Sequence, residues 1–310
     1  MHPNSRFKPY INTWPQPEEV VNQHNLDPQY WRMLKSPYWE RELLKWLRSA
    51  QALAEGTWDP ALPLTIPEAV GHVAVSQADV EHVSAIIASR SLGVFGRNLS
   101  LLVPLVDMAN HAPACPHYLS AYDGRRYLDL IAGAPIKAGQ EVCYDYGDLR
   151  DDYAVAHYGF LPDLRGQPPR LSLVDHPGFD PAARHTPNSL PDTPFAGSPA
   201  EVEREVGRLL QIHLAITSTP ADLLPAETKG QWVYGMLKEL ESRRLRAIEA
   251  EVTRLARELD AASPGSVLDW EEGRGAKAVR TVCVGSNCWR TLPGGRWEVW
   301  VPEGGGKTEL

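Results

Sequence analysis

Two short segments carry residues that could bind a ligand and position a reaction. The first is the apolar run 102–109, which ends in Asn110 and His111. Two adjacent polar residues at the end of a buried apolar strand would offer several hydrogen-bond donors and acceptors to a ligand. The alternative is structural, because Asn110 could lie in a turn where it tolerates a positive φ.

Tyrosines dominate the second segment. Residues 141–147 contain Tyr144 and Tyr146, and Tyr158 follows in the next segment. A tyrosine hydroxyl can hydrogen-bond an amine, and an electron-rich ring face attracts ammonium or sulfonium cations. These tyrosines suit a transfer reaction in which the protein aligns a neutral amine with an electrophilic carbon and excludes water.

Two acidic residues near the second segment have a simpler explanation. Asp151 and Asp152 lie at the start of a short helix predicted over 149–158, which Gly159 ends. At that position their charges complement the helix dipole and need no catalytic role. The sequence contains no Gly-x-Ser-x-Gly motif and no phosphate-binding loop.

Cysteine and histidine residues do not predict a metal site. His111, Cys115 and His117 are close in sequence, but no fourth ligand is obvious beside them. The four cysteines are too few and too scattered for a disulfide framework in a chain of 310 residues. We therefore expect reduced thiols in a reducing compartment. The cysteines are Cys115, Cys143, Cys283 and Cys288.

Bulk composition excludes several classes of protein. With 43% hydrophobic and 23% charged residues, the chain can bury one large core or two modest ones. Its net charge of −8 would not attract phosphate backbones, so we expect no nucleic-acid partner. No run approaches the roughly 18 to 20 apolar residues of a membrane span. No targeting segment is visible, which leaves cytoplasm and chloroplast both open.

Helices that could position the first segment are predicted upstream of it. Apolar residues recur at helical spacing over 17–56. A capping box of Ser76 and Asp79 then begins a second helix. The apolar stripe of that second helix consists of Val80, Val83, Ile86 and Ile87.

Short β segments are predicted around the two motifs. The apolar run 101–106 and the segment 140–146 are candidate strands. Residues 118–122 and 127–131 are predicted to pair as a hairpin across an Asp-Gly turn.

Helices dominate the C-terminal part of the sequence. A Pro- and Gly-rich linker over 166–197 precedes a helix that begins at a capping box of Ser198 and Glu201. A longer helix over 227–262 carries a heptad-like apolar seam, which we interpret as packing within its own domain rather than as a coiled coil. Residues 263–310 are weakly patterned, and we expect little regular structure there.

The two motifs together resemble the second half of a SET domain. An apolar strand ending in Asn-His, a strand ending in Tyr-Gly and a helix reaching Tyr-Gly-Phe are similar to the plant Rubisco large-subunit methyltransferase and related SET-domain enzymes. Upstream, 7–11 and 14–15 look like the start of the helical insertion in that family. Residues 89–91 look like the arginine-bearing segment that closes the insertion.

The resemblance implies an α+β fold. It consists of a small-stranded SET core, a helical insertion and an all-α C-terminal substrate-binding domain. The implied boundaries are 1–96 for the insertion, 97–165 for the C-terminal SET core, 166–197 for the linker, 198–262 for the helical substrate-binding domain and 263–310 for the tail.

The activity implied by the resemblance is that of a protein-lysine N-methyltransferase that uses S-adenosyl-L-methionine. The implied partner is a lysine-bearing protein substrate of unknown identity, and the oligomeric state stays open. Tyr146 and Tyr158 would be catalytic, with Tyr144 as the competitor for the role of Tyr146.

Cofactor contacts are implied for Arg90, Asn110 and His111. For Arg90 there is a structural alternative, since it could equally form an ion pair with Glu81 or Asp107.

One family element is not recognisable. Relatives begin with a strand and a Gly-x-Gly-like turn that lines the other half of the cofactor pocket, and the glycines of 93–96 have the wrong spacing for it. We therefore expect an N-terminally truncated form, or a short protein that has lost cofactor binding. A non-catalytic SET-derived interaction module and a protein-histidine methyltransferase are the alternative functions.

Overall fold

The computed structural model describes residues 6–30, 33, 37–55, 75–93, 100–121, 128–147, 149–163, 195–218, 232–262, 270–271, 279–284, 287–291 and 297–300. Helices and short strands are both present, which confirms the predicted α+β class. Of the helices described, none combines the length and the apolar character needed to span a membrane.

The chain forms two compact units. The first contains the described residues up to 163 together with 232–237, and the second contains 195–218 and the described residues from 238 onwards. Except for 195–197, the predicted linker lies outside the described residues.

Helices of the first unit flank the motif segments. They are α1 (Lys8–Ile11), α2 (Pro37–Ala54), α3 (Gln77–Arg90) and α4 (Asp151–Tyr158), with 3₁₀ turns at Pro28–Tyr30 and Val106–Met108.

The predicted start of α3 is confirmed. The main-chain N–H of Asp79 donates to the Ser76 hydroxyl at 3.1 Å, and that of Ser76 donates to the Asp79 carboxylate at 3.0 Å. Within the predicted stripe, Val80 and Ile86 are buried, whereas Val83 and Ile87 are exposed. Only half of that stripe therefore faces the core.

The helix predicted from residue 17 begins later. Residues 17–27 form turns, and the first long helix in this region is α2. The Asn22 side chain accepts from the N–H of His24, and the Asn25 side chain donates to the Val20 carbonyl. Such local side-chain bonds compete with a helix for the main-chain groups.

Strands of the first unit form three small sheets among the described residues. Strand β1 (Leu92–Gly93) pairs with β2 (Ser100–Leu101) in antiparallel fashion, and β3 (Asn110–His111) pairs with β6 (Cys143–Tyr144) in parallel. Strands β4 (Tyr118–Ala121) and β5 (Leu128–Ile131) pair with Tyr118 opposite Ile131. This confirms the predicted hairpin, whose turn lies outside the described residues.

The two other predicted strands are much shorter than expected. In 101–106 only Leu101 belongs to a strand, and in 140–146 only the residues of β6 do. Leu105 has a φ of 76° and is 80% exposed. Pro104 has no N–H to donate to a strand ladder, so the apolar run before Asn110 is not a buried strand.

The second unit has a helical core. Helices α5 (Pro199–Ser218) and α6 (Trp232–Ala262) share one apolar cluster, which confirms that the seam of the longer helix packs within its own domain. The Ser198 N–H donates to the Glu201 carboxylate at 2.7 Å, which is one of the two bonds of the predicted capping box, whereas the Glu201 N–H donates to the Ser198 main-chain carbonyl at 2.9 Å. The cluster consists of Val202, Val206, Leu209, Leu210, Ile216, Ile248, Val252, Leu255, Ala256 and Leu259.

A four-stranded antiparallel sheet corrects our expectation for residues 263–310. Its order is β10-β9-β8-β7, and it belongs to the second unit, which is therefore not all-α. The prediction of little regular structure was wrong because these short runs are rich in Val, Thr and Trp, which favour strands. The strands are β7 (Trp270–Glu271), β8 (Val279–Val284), β9 (Asn287–Thr291) and β10 (Trp297–Trp300).

Candidate functional site

Parallel pairing of β3 and β6 brings the two motif segments together. Asn110 lies opposite Cys143, and His111 lies opposite Tyr144. The main-chain N–H of Ala112 continues the pairing by donating to the Tyr144 carbonyl at 3.3 Å. A parallel pair needs a long connection, and here the connection contains the whole β4–β5 hairpin.

His111 and Tyr146 are joined directly. The main-chain N–H of Tyr146 donates to Nδ1 of His111 over 3.1 Å, and the two ring centroids are 5.2 Å apart. Because Nδ1 accepts this bond, the proton of a neutral His111 ring lies on Nε2. The His111 side chain is 4% exposed, so it holds the loop after β6 against β3.

Three tyrosines form an aromatic cluster beside His111. The ring centroid of Tyr146 lies 4.5 Å from that of Tyr144 and 5.2 Å from that of Tyr158. Tyr158 is the last residue of α4, and Gly159 ends this helix in the left-handed region with a φ of 75°. Sequence reasoning predicted the helix end, and the family resemblance led us to expect Tyr146 and Tyr158 close together, as their rings are.

Hydroxyl groups within the cluster are hydrogen-bonded in series. Tyr144 is hydrogen-bonded to the hydroxyl of Tyr146, which donates to the Ala109 carbonyl over 2.7 Å. Burial raises the pKa of Tyr144, Tyr146 and Tyr158 above the ordinary tyrosine value. All three phenols therefore stay protonated at neutral pH, and none can act there as a general base.

Arg90 lies at the end of α3 near this cluster. Its guanidinium donates to the main-chain carbonyl of Asp107 over 3.3 Å, and its charge opposes the rise that burial causes in the Tyr146 pKa. Glu81 instead accepts a hydrogen bond from Gln77. Among the described residues, Arg90 forms no ion pair within 4.0 Å with either Glu81 or Asp107. Its charge still acts on Asp107, because it lowers the pKa of that carboxyl while burial raises it.

Asp107 is a buried acid beside Arg90. The Tyr10 hydroxyl donates to its Oδ2, while its Oδ1 is buried without a hydrogen-bond partner among the described residues. Burial raises the pKa of Asp107, and burial together with the hydrogen bond to Asp107 raises the pKa of Tyr10 to about 12. An unsatisfied carboxylate oxygen next to an arginine marks a place where a polar ligand group could bind.

Asn110 does not join the cluster. Its side chain is exposed and donates to the Glu141 carboxylate at 2.6 Å. Asn110 lies in β3 and is not among the described residues with positive φ, so the turn that we considered for it is not formed.

Two of the cysteines contradict the expectation of reduced thiols. Cys115 and Cys143 form a disulfide across 28 positions of sequence. Cys143 lies in β6 and Cys115 in the loop after β3. The parallel pairing of β3 with β6 therefore brings the two sulfur atoms together as well as the two motifs. We had considered Cys115 only with His111 and His117, because sequence distance hides Cys143.

A pair of half-buried histidines was also missed. The Gln23 amide lies 3.4 Å from Nε2 of His24 and 3.3 Å from Nδ1 of His157, and it can donate to both. Burial lowers the pKa of each histidine to about 4, and for His24 the charge of His157 adds to this effect. The only sequence signal was the position of His157 beside Tyr158.

Comparison with known proteins assigns no family. No protein-family model matches this chain, and no curated protein matches it. The resemblance to SET-domain enzymes therefore depends on the sequence motifs alone.

Proposed function

We propose that this protein is a SET-type protein-lysine N-methyltransferase that uses S-adenosyl-L-methionine. The observation that supports the proposal is the contact between the two motifs, in which the Tyr146 N–H donates to His111 and the Tyr146 ring packs at an angle against that of Tyr158. In this proposal the first unit corresponds to the SET core with its helical insertion, and helices α5 and α6 dock the protein substrate.

The hydroxyl of Tyr146 is suited to orient an amine. It donates its own proton to Ala109 and is also bonded to Tyr144, so its oxygen is fixed in direction. A phenol oxygen has two lone pairs, and one of them stays available to an incoming N–H group. Holding the amine in line with the methyl carbon is the main contribution that this reaction requires of the protein.

Ring faces of Tyr144, Tyr146 and Tyr158 would form the wall of the transfer site. Bound S-adenosyl-L-methionine supplies an electrophilic methyl group on a sulfonium ion, and aromatic faces favour such a cation. The neutral state of the phenols means that they cannot remove the ammonium proton of lysine. We expect that proton to leave to solvent before transfer, so the rate should rise with pH.

Residues around Arg90 fit a polar part of the cofactor. The guanidinium has donors beyond the one used by the Asp107 carbonyl, since it carries five N–H groups. The unsatisfied Oδ1 of Asp107 offers an acceptor beside it. Asn110, being exposed, would contact the cofactor from the outer side of β3.

Calorimetric titration of the full chain with S-adenosyl-L-methionine tests the proposal. We expect saturable binding, and transfer of a labelled methyl group to lysine in a protein mixture, mapped by peptide analysis. Tyr146→Phe should keep binding and lose transfer, because only the hydroxyl is removed. Tyr118→Phe is the matched control, since Tyr118 is 56% exposed and outside the cluster.

Three outcomes would overturn this proposal. Absence of cofactor binding would favour an interaction module instead. Methylated histidine in place of lysine would change the acceptor class. Undiminished transfer by Tyr146→Phe would remove the role given to its hydroxyl.

A further inference from the structure

Three potential metal ligands meet beside the aromatic cluster. The sulfur atoms of Cys115 and Cys143 and a ring nitrogen of His117 all lie within 4.8 Å of one another. Cys115 and His117 come from the loop between β3 and β4, and Cys143 comes from β6. The transfer chemistry proposed above uses none of the three.

The side chain of His117 is buried beside the disulfide. It is 2% exposed, and its Nδ1 is buried without a hydrogen-bond partner among the described residues. A buried polar atom left unpaired destabilises the fold unless a ligand or ion binds it. The disulfide accounts for the two cysteines but gives this nitrogen nothing to bind.

We propose that Cys115, His117 and Cys143 bind one Zn²⁺ ion when the two cysteines are reduced. Zinc binds cysteine thiolates and histidine nitrogens in tetrahedral sites, and three protein ligands leave its fourth position to water. A bond from the metal to Nδ1 of His117 would give this buried nitrogen the partner that it lacks. The disulfide and the zinc complex are then two alternative states of the same pair of sulfur atoms.

Conversion of the disulfide to the zinc complex requires a reductant, here a dithiol. The reductant delivers two electrons and two protons, the S–S bond breaks, and the reductant becomes a disulfide itself. Zn²⁺ then displaces one proton from each thiol, and both protons pass to solvent. The two thiolates balance the charge of the ion, and His117 contributes a neutral nitrogen.

Backbone geometry holds the ligands in place for this exchange. The N–H of Ala112 donates to the Tyr144 carbonyl, and the N–H of Cys115 donates to the Ala112 carbonyl at 3.0 Å. Gly133 passes so close to Pro116 that a Cβ at position 133 would lie 1.9 Å from its carbonyl oxygen. The loop is therefore fixed on both sides of Cys115.

Only the sulfur atoms need to move on reduction. A zinc–sulfur distance of about 2.3 Å places two thiolates of a tetrahedral site about 3.8 Å apart. The Cα atoms of Cys115 and Cys143 are 6.2 Å apart, so rotation about the Cα–Cβ bonds can separate the sulfur atoms. Both cysteines are half-buried and accessible to a reductant.

Cobalt binding to the reduced chain tests the proposal without any methyl donor. The full chain carrying Cys283→Ser and Cys288→Ser is reduced with a phosphine, freed of excess reagent under argon and titrated with Co²⁺. We expect one equivalent to bind with a thiolate-to-cobalt charge-transfer band, which Zn²⁺ then abolishes. The oxidised chain should bind no Co²⁺.

Ligand variants separate this site from adventitious binding. His117→Ala and Cys143→Ser should each weaken binding by more than the roughly 10 to 100-fold that loss of an outer-shell partner costs. Tyr118→Phe, next to His117 in sequence, should bind like the parent. If His117→Ala loses its native circular dichroism spectrum, His117→Gln replaces it.

Several results would refute the zinc site. These are the absence of the charge-transfer band in the reduced chain, an unchanged affinity in both His117 variants, and equal uptake by a chain carrying Cys115→Ser and Cys143→Ser. Failure of S-adenosyl-L-methionine binding would leave this test unaffected, because the cobalt band reports the cysteines directly.

Discussion

The main-chain N–H of Tyr146 donates to Nδ1 of His111 across the parallel pair formed by β3 and β6, over 3.1 Å. This bond joins the last residue of the Asn-His motif to a tyrosine near the end of segment 141–147. His111 therefore stabilises the fold through this bond, and its effect on the free energy of unfolding can be measured independently of any activity.

Replacing His111 by alanine should destabilise the first unit. The part-buried Tyr146 N–H would lose its acceptor, which costs about 1 kcal/mol, and the packing between the rings would be lost as well. We expect a lower free energy of unfolding in urea. Asn110→Ala is the control, since that side chain is exposed, and its effect should stay within about 0.5 kcal/mol. Equal effects of the two substitutions would contradict the importance of the His111 bond.

Gly159→Ala should be more damaging than Gly139→Ala. Both glycines have positive φ, 75° and 80° respectively. A Cβ at position 159 would also lie 2.1 Å from the Val21 carbonyl oxygen, whereas nothing lies within 4 Å of one at position 139. We expect about 1–2 kcal/mol of backbone strain at position 139 and clearly more at 159. Thermal unfolding of both variants measures the difference, and similar losses would argue against the contact with Val21.

Stability should fall in mild acid because of His24 and His157. The folded pKa of each, about 4, lies below the ordinary value of 6.5, so the unfolded chain binds more protons. Their contribution is therefore complete above pH 6.5 and is lost as the pH falls towards 4. At pH 5 the loss should be about 2 kcal/mol for each imidazole.

Urea unfolding at pH 7.5 and pH 5 checks the histidine effect. A chain carrying both His24→Gln and His157→Gln should lose most of the difference between the two pH values. If the double variant keeps the full pH dependence, other groups cause it. Gln23→Leu should also lower the free energy of unfolding at neutral pH, since it removes the amide that lies between the rings of His24 and His157.

Leu255→Ala should destabilise the second unit. Leu255 is fully buried in the cluster that α5 and α6 share, and truncation of such a leucine costs about 2–5 kcal/mol. Arg257→Ala on the exposed side of α6 is the control and should change little. The midpoint of urea unfolding should not depend on protein concentration. A dependence would indicate the intermolecular coiled coil that we did not favour.

Local patterns in the sequence predicted the elements that depend on near neighbours. The capping box at Ser76, the β4–β5 hairpin and the end of α4 at Gly159 were all predicted correctly, and at Ser198 one of the two capping-box bonds is formed. Each depends on residues a few positions apart, whose preferences act without the rest of the fold.

Predictions from apolar content alone were less successful. The run before Asn110 was expected to be a buried strand, but it contains the exposed Leu105 and a 3₁₀ turn. Apolar composition predicts that a segment packs against other parts of the protein, but it does not predict whether the segment forms a strand. The C-terminal strands were missed although their Val, Thr and Trp residues favour strands, because the runs are short and glycines lie between them.

The sequence motifs, through their resemblance to SET-domain enzymes, selected Tyr146, Tyr158, His111 and Arg90 as candidates for one site. Only the tertiary structure showed that β3 and β6 pair in parallel, that Cys115 meets Cys143 and that Gln23 reaches His157 across 134 positions. These contacts join residues far apart in sequence. The physical reason is that such contacts form only when the whole core buries enough surface to offset the entropy of closing long loops.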